Sequence, residues 1–430
     1  MLLLLSKPRD LPVFFYNIFL LLYRFAVHVS SLWNNKAKKW IHGRKNIFEK
    51  IRAGIGDSAS NIVWVHCSSL GEFEQGRPVI EKIKAQGTNN KILLTFFSPS
   101  GYEIKKNYPG ADHIFYLPMD SKKNAHEFLD LIRPHLVIFV KYDYWYYYLS
   151  EIKKRKINCL LISAVFRKDQ AFFKWHGSLQ RKMLGCFTQI FVQNEESKNL
   201  LGKIDIKNCI VSGDTRFDTV IQIANRFERI PMIENFIGDK KCIVAGSTWK
   251  KDEEFLKNVF DQLSAYGLKL IIAPHEIDQA HLDELKKLFP SSHTFSQLSL
   301  TNSQLATNNV LVIDNIGMLS RLYSYAYISY VGGGFTRDGV HNVLEAAVYA
   351  KPVLFGSNYK KYKEAIDLIK YGGAKSFSSA NELYEAMISL LSDDKKYQYE
   401  AEASKNYVWE NNGGAEKIIN YIEMNRLLTR

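Results

Sequence analysis

Two groups of residues in this chain have the types and spacing that could do chemistry. The first lies in YVGGGFTRDGVHNVLEAAVYAKPVLFG, from Tyr330 to Gly356. Gly332, Gly333 and Gly334 let backbone approach a ligand closely. A helix expected to begin near His341 would aim unpaired N–H groups at the same point. With His341, Asn342 and Glu345 beside them, these residues could hold an anion and accept from neighbouring hydroxyls. A small turn of like character, Gly246-Ser247-Thr248, stands between an apolar run and a helix expected near Asp252, so its amides and hydroxyls could also meet an anion. The second group is HCSSLGE, His66 to Glu72. Ser68, Ser69 and Gly71 make a turn, and Glu72 falls where that turn meets a helix. A carboxyl there works as a general base if its surroundings lift its pKa toward the working pH; the plainer reading is an acid well placed at a helix N-terminus.

Positioning these groups requires strands that end in front of them. Asn61 to His66, Lys91 to Phe97, Ala111 to Leu117, His135 to Val140, Asn158 to Ser163, Phe191 to Gln193 and Cys209 to Val211 read as strands, most of them apolar and separated by helical stretches. A second series holds Cys242 to Ala245, Leu268 to Ala273, Leu311 to Ile313, Ser329 to Val331 and Val353 to Phe355. Buried strands alternating with helices indicate parallel sheets covered on both faces. Arg229-Ile230-Pro231-Met232 interrupts the alternation, and Pro231 to Asp239 reads as an interdomain linker. The expected division is residues 1–45 as anchor helix and basic linker, 46–230 as the first domain and 231–430 as the second, with late helices crossing back to the first.

A chain of 430 residues favours two domains. Its formal charge of +13 suits a phosphorylated substrate, an anionic membrane or nucleic acid without choosing among them. Five widely spaced cysteines show neither metal spacing nor a disulfide framework and read as buried thiols of a cytoplasmic protein. VFFYNIFLLLYRFAVHVSSL, Val13 to Leu32, approaches the length of a membrane span and is followed by Lys36, Lys38, Lys39, Arg44 and Lys45. A single span or an interfacial helix fits, with the basic residues on the cytoplasmic side. There is no G-x-S-x-G nucleophile elbow, no Walker lysine and no G-x-G-x-x-G opening an early strand. The aromatic run KYDYWYYY, Lys141 to Tyr148, reads as packing around a helix start rather than as a base-stacking surface. Two sheets with a glycine-rich ligand loop suit a group-transfer enzyme. Nucleotide phosphates would lie against Gly332, Gly333, Gly334, Ser247 and Thr248, and ribose hydroxyls against Glu345.

In order and spacing, Gly43-Arg44-Lys45, HCSSLGE, GDTRFD at Gly213 to Asp218, GST at Gly246 to Thr248, VGGGF, GVHNVLEAA and KPVLFG resemble the 3-deoxy-D-manno-octulosonic acid (Kdo) transferases of Gram-negative bacteria over nearly the whole chain. The resemblance implies a GT-B fold: α/β, two Rossmann-like domains with parallel sheets facing across a cleft, plus an N-terminal hydrophobic helix. It implies an inverting glycosyltransferase that moves Kdo from CMP-Kdo to the lipid A precursor at the cytoplasmic face of the inner membrane. CMP-Kdo, the lipid A precursor and the inner membrane surface are the implied partners; no cofactor, no metal and no nucleic acid are implied. Glu72 takes the place of the family's base. The donor side carries over to Gly246, Ser247, Thr248, His275, Gly332, Gly333, Gly334, His341, Asn342 and Glu345, and Ser69, Gly71, Lys141, Asp143 and Arg216 are acceptor or auxiliary residues. The chain departs from the family at Lys141-Tyr142-Asp143, where an acidic E-T-E segment is usual, and at Pro274-His275-Glu276, where Pro-Arg-His is usual; Lys141 or Arg337 would compensate. Val343 replaces the usual proline. The other readings are a transferase for another nucleotide sugar and a non-catalytic basic protein that binds membrane or nucleic acid.

Overall fold

The computed structural model describes residues 11–56, 61–87, 89–298 and 308–428; residues 1–10 of the expected anchor region lie outside it. The chain forms two compact units, Met1–Thr219 with Gly413–Arg430, and Val220–Asn412.

The first unit is built on seven strands: β1 (Ile62–Cys67), β2 (Lys91–Phe96), β3 (His113–Tyr116), β4 (Leu136–Val140), β5 (Asn158–Ala164), β6 (Gln189–Val192) and β7 (Cys209–Val211). They lie in the order β3-β2-β1-β4-β5-β6-β7 with every pair parallel. Side chains alternate between the two faces. Trp64, Val137, Phe139 and Leu161 enter one core, while Val63, Val65, Ile138 and Leu160 enter the other. Burial of both faces explains why β4 is apolar throughout and β1 is apolar but for His66. Among the described residues three helices precede the sheet, α1 (Leu11–Ser30), α2 (Asn35–Arg44) and α3 (Ile47–Ile55), and α4 (Leu70–Ala85) follows β1. Ile47, Ile51 and Ile55 recur at four-residue intervals and seal α3 onto the first core. On the other face, Val79, Ile80 and Ile83 of α4 pack with Ile418, Ile419 and Ile422 of the helix Gly414–Met424.

The second unit repeats this plan with β8 (Cys242–Thr248), β9 (Lys269–Pro274), β10 (His293–Thr294), β11 (Val310–Val312), β12 (Ile328–Val331), β13 (Val353–Gly356) and β14 (Ala374–Phe377). Its order is β10-β11-β9-β8-β12-β13-β14, again parallel throughout. Ile243, Leu270, Ile272 and Leu354 pack against Leu256 and Val259 of the helix Lys250–Gln262 and against Leu383 and Met387 of the helix Ala380–Ser392. The protein thus consists of two parallel-sheet, Rossmann-like units in a GT-B-like architecture, plus an apolar N-terminal helix.

Two local expectations differ from the structure, and a third agrees with it. Pro231–Ile237 is a helix rather than a linker, because proline at the first helical position loses only an N–H that has no intrahelical acceptor. The helix expected from His341 is a single turn, Leu344–Ala347. Ala350 has a left-handed φ of 56° and Pro352 disfavours helix at Lys351, so the turn cannot be extended. In KYDYWYYY the rings pack: Tyr148 is buried at 5.7 Å from Trp64 and Tyr144 lies 4.9 Å from Phe172, centroid to centroid.

Candidate functional site

In an open parallel sheet, ligands collect at the carboxyl ends of the strands where the strand order reverses. In the first unit that point is β1 and β4; in the second it is β8 and β12.

The β1 turn carries Ser68, Ser69 and Gly71, and Glu72 sits in the first turn of α4. Glu72 Oε2 accepts from the Ser69 amide at 2.9 Å and from its hydroxyl at 3.3 Å, so the acid does help to cap its helix. Burial nonetheless raises the Glu72 pKa, against the opposing pull of Ser69 and of the Lys141 charge. Beyond β4, Asp143 is buried and accepts from the Ser68 amide at 3.0 Å and from the Ser68 hydroxyl. Its pKa is also raised, by burial first and by the Glu72 charge second. Two carboxyls in one place resist ionising together, which moves their titration toward neutrality. Lys141 adopts a left-handed φ of 66° at the end of β4, a conformation that non-glycine residues adopt only when the surroundings hold it.

His66, beneath these groups, is fully buried and its pKa is lowered to about 3 by that burial. Trp145 Nε1 donates to its Nε2 at 3.2 Å, so the ring proton is on Nδ1, facing Thr95 Oγ1 at 2.8 Å. His66 is therefore a neutral spacer, and its 3.6 Å approach to Asp143 is not an ion pair.

GDTRFD serves the same turn from behind. Pro78 lies inside α4 and supplies no N–H to the Glu74 carbonyl one turn back. Thr219 Oγ1 donates to that carbonyl at 2.7 Å, and Thr215 Oγ1 donates to the Gln75 carbonyl at 2.6 Å. Arg216 forks onto Asp214, with Nε at 2.9 Å; burial pushes the Asp214 pKa up, but Arg216 holds it below the ordinary value. Asp218 accepts from the Gly413 and Ala415 amides, which anchors the C-terminal helix. Thr215 and Thr219 were not among the residues expected from sequence; the signal for Thr219 was a proline within a helical pattern, whose orphaned carbonyl needs a hydroxyl.

In the second unit Gly246, Ser247 and Thr248 close β8, where the register with β9 shifts between Gly246 and Thr248 and Ser247 has a φ of 53°. Gly332, Gly333 and Gly334 follow β12. A Cβ on Gly332 would collide with the Ser247 carbonyl, and Gly333 has a φ of 87°. Both glycines shape the loop more than they offer amides. The Gly332 N–H donates to the Gly246 carbonyl at 2.8 Å and the Gly333 N–H to Asp252 Oδ2 at 3.0 Å. Asp252 also accepts from Tyr330 at 2.7 Å and from the Trp249 amide at 2.9 Å. The Thr248 hydroxyl is buried and donates to Glu253 at 2.9 Å. Asp252, like Trp249, is a residue that sequence reasoning missed.

What faces outward is a different set. Trp249, His275 and His341 stack, with centroids 4.7 Å and 4.6 Å apart. Trp249 Nε1 donates to His341 Nε2 at 3.1 Å, which leaves the proton on Nδ1. Burial, with His275 nearby, lowers the His341 pKa to about 4, so the ring is neutral at physiological pH. Asn342 Nδ2 donates to Glu345 Oε1 at 3.0 Å and its carbonyl accepts from the Leu344 amide at 3.3 Å, so the Asn342 amide is oriented. The structure thus gathers Ser69, Gly71, Glu72, Lys141 and Asp143 at one sheet edge, and Gly246, Ser247, His275, His341, Asn342 and Glu345 at the other.

Comparison with known proteins shows what this chain is similar to. Residues 42–219 match the family model described as 3-Deoxy-D-manno-octulosonic-acid transferase (kdotransferase). The chain is 27% identical over 343 residues to 3-deoxy-D-manno-octulosonic acid transferase of Aquifex aeolicus, covering 79% of this chain and 88% of that one. It is 28% identical over 319 residues, 72% of its length, to a bifunctional glycosyltransferase/methyltransferase of Fusobacterium nucleatum, of which the match spans 48%. UDP-GlcNAc 2-epimerase from Neisseria meningitidis, solved with UDP-GlcNAc, shares the fold with a TM-score of 0.61 at 19% identity, covering 85% of this chain and 100% of that one. These similarities support a GT-B glycosyltransferase related to the Kdo transferases. The helix Leu11–Ser30 is long and apolar enough to cross a membrane, which supports membrane association.

Proposed function

We propose that the protein is an inverting transferase that moves Kdo from CMP-Kdo to the lipid A precursor at the cytoplasmic face of the inner membrane. The observation that carries this reading is Glu72, a carboxyl of raised pKa at the strand-order reversal of the first sheet. A base poised in this way takes the proton of the attacking acceptor hydroxyl. The acceptor oxygen forms its bond to the anomeric carbon of Kdo while the bond from that carbon to the CMP phosphate breaks, and the electron pair leaves with CMP. One displacement inverts the carbon, and no enzyme-bound sugar is formed. Lys141 keeps Glu72 ionisable, and Ser68 and Asp143 fix the turn that carries it. On the donor side, His341 and Asn342 present oriented hydrogen-bonding groups, Ser247 closes the β8 turn, and Glu345 accepts from ribose hydroxyls. The resemblance of the sequence motifs and the similarity to Kdo transferases support this choice of substrates.

The test is to incubate the full chain with CMP-Kdo and the lipid A precursor and to weigh the product. A mass gain of one or more Kdo units is expected. Unchanged precursor, or transfer only from a different nucleotide sugar, would overturn the assignment.

A further inference from the structure

Helix α1 is apolar on two sides that meet different surroundings. Val13, Tyr16, Leu20, Tyr23, Val27 and Ser30 recur at spacings of three and four residues and form the half-buried inner face. Tyr16 donates to buried Asp120 at 2.6 Å, and Asn17, at the border of this face, accepts from Tyr147 at 2.8 Å. Farther along, the Tyr23 ring lies 5.9 Å from both Trp40 and Phe97. The outer face exposes Phe14, Phe15, Phe19, Leu21, Leu22 and Phe25. A helix of this length could reach across a hydrocarbon core of about 30 Å. Crossing it in this docked state would carry Asp120, its loop and the start of the helix Tyr146–Lys154 that holds Tyr147 into hydrocarbon, and undocking would leave Asp120 without its phenol.

The surroundings of the outer face have the composition of a membrane interface. Beside the N-terminal half, a groove of about 720 Å³ is lined by Phe15, Phe19, Leu179 and Met183, and Trp175 on its rim is 92% exposed. Beside the C-terminal half, a groove of about 330 Å³ is lined by Arg24, His28, His42 and Lys45 with Met119 and Asn124, and among the described residues no carboxylate lines it. Apolar surface flanked by an aromatic ring and by cations is complementary to acyl chains beneath anionic headgroups.

We propose that α1 does not span the bilayer but lies in the plane of one leaflet, with its outer face in the acyl region and the Arg24–Lys45 groove on the phosphodiesters of anionic phospholipids. This concerns only how the first unit meets a membrane and stands whether or not the proposed sugar transfer is right.

The experiment places single cysteines at Phe14, Leu21 and Val29 in the full chain, on a Cys186→Ser background, since the other four cysteines are buried. Each is labelled with an environment-sensitive fluorophore, and its depth in phosphatidylglycerol-containing vesicles is read by lipids that carry quenchers at graded positions. All three probes are expected at one shallow depth, about 5–10 Å into the headgroup and acyl boundary. Leu21 near the bilayer centre, with Phe14 and Val29 at opposite interfaces, would overturn the proposal. Arg24→Ala with Lys45→Ala is expected to weaken partition onto anionic vesicles roughly 25-fold, at about fivefold per charge, and to leave partition onto phosphatidylcholine almost unchanged. Equal loss on both vesicles would contradict the headgroup contact. Phe19→Asp with Leu22→Asp is expected to abolish vesicle binding with an unchanged circular dichroism spectrum. Should the wild type instead form dimers that these two changes dissociate, while failing to bind vesicles, a second copy covers the face and the proposal fails.

Discussion

At the carboxyl end of the first sheet, Glu72 and Asp143 both have raised pKa values beside Lys141. At the same end of the second sheet the acids are turned to structural use: Asp252 holds Gly333, Trp249 and Tyr330, and Glu253 holds Thr248 and His281. The outward groups there are two imidazoles, an indole and the Asn342–Glu345 pair. One topology therefore presents two chemistries. Under the proposed function the first edge moves a proton, through a carboxyl of raised pKa, and the second holds the donor.

The largest expected effect is on rate. Glu72→Gln keeps the acceptor oxygen for the Ser69 amide but cannot take a proton, so kcat should fall by about 10²–10⁴-fold, with thermal stability close to that of the wild type. The comparison breaks if turnover persists. On the other side, Asp252→Ala leaves three buried donors without their acceptor, and at about 1–3 kcal/mol each the second unit should lose about 3 kcal/mol or more in denaturant unfolding. A negligible loss would mean that the glycine loop does not depend on Asp252. Thr219→Val removes the hydroxyl that replaces the N–H missing at Pro78 and should destabilise the first unit by about 1–2 kcal/mol, with reduced kcat because α4 carries Glu72.

The smallest effect sharpens the electrostatic contrast. The Lys141 charge lowers the Glu72 pKa against the burial that raises it. Lys141→Met removes that charge, so the base holds its proton to higher pH, and the acid limb of the rate profile should move upward in pH. Movement downward, or none, would show that another group sets that limb.

Much of this arrangement was legible in the sequence. Apolar runs such as LVIFV and IVWV fit strands buried on both faces, and the turns after them marked where candidate site residues would fall. What was not legible depends on contacts between distant residues. Glycines 332 and 333 read as places where backbone could approach a ligand, and the bonds of their amides to Gly246 and Asp252 were not legible because those acceptors lie far away in sequence. Pro231 read as a break because proline both begins and ends helices, and only the chain that follows decides which.

The division of labour is tested most directly by measuring CMP-Kdo affinity calorimetrically in Glu72→Gln and in Asn342→Ala. The account predicts an affinity within about twofold of the wild type for Glu72→Gln, and about tenfold or more weaker for Asn342→Ala, the loss of roughly one oriented hydrogen bond to a charged or polar ligand. Donor binding lost in Glu72→Gln, or kept in Asn342→Ala, would contradict it.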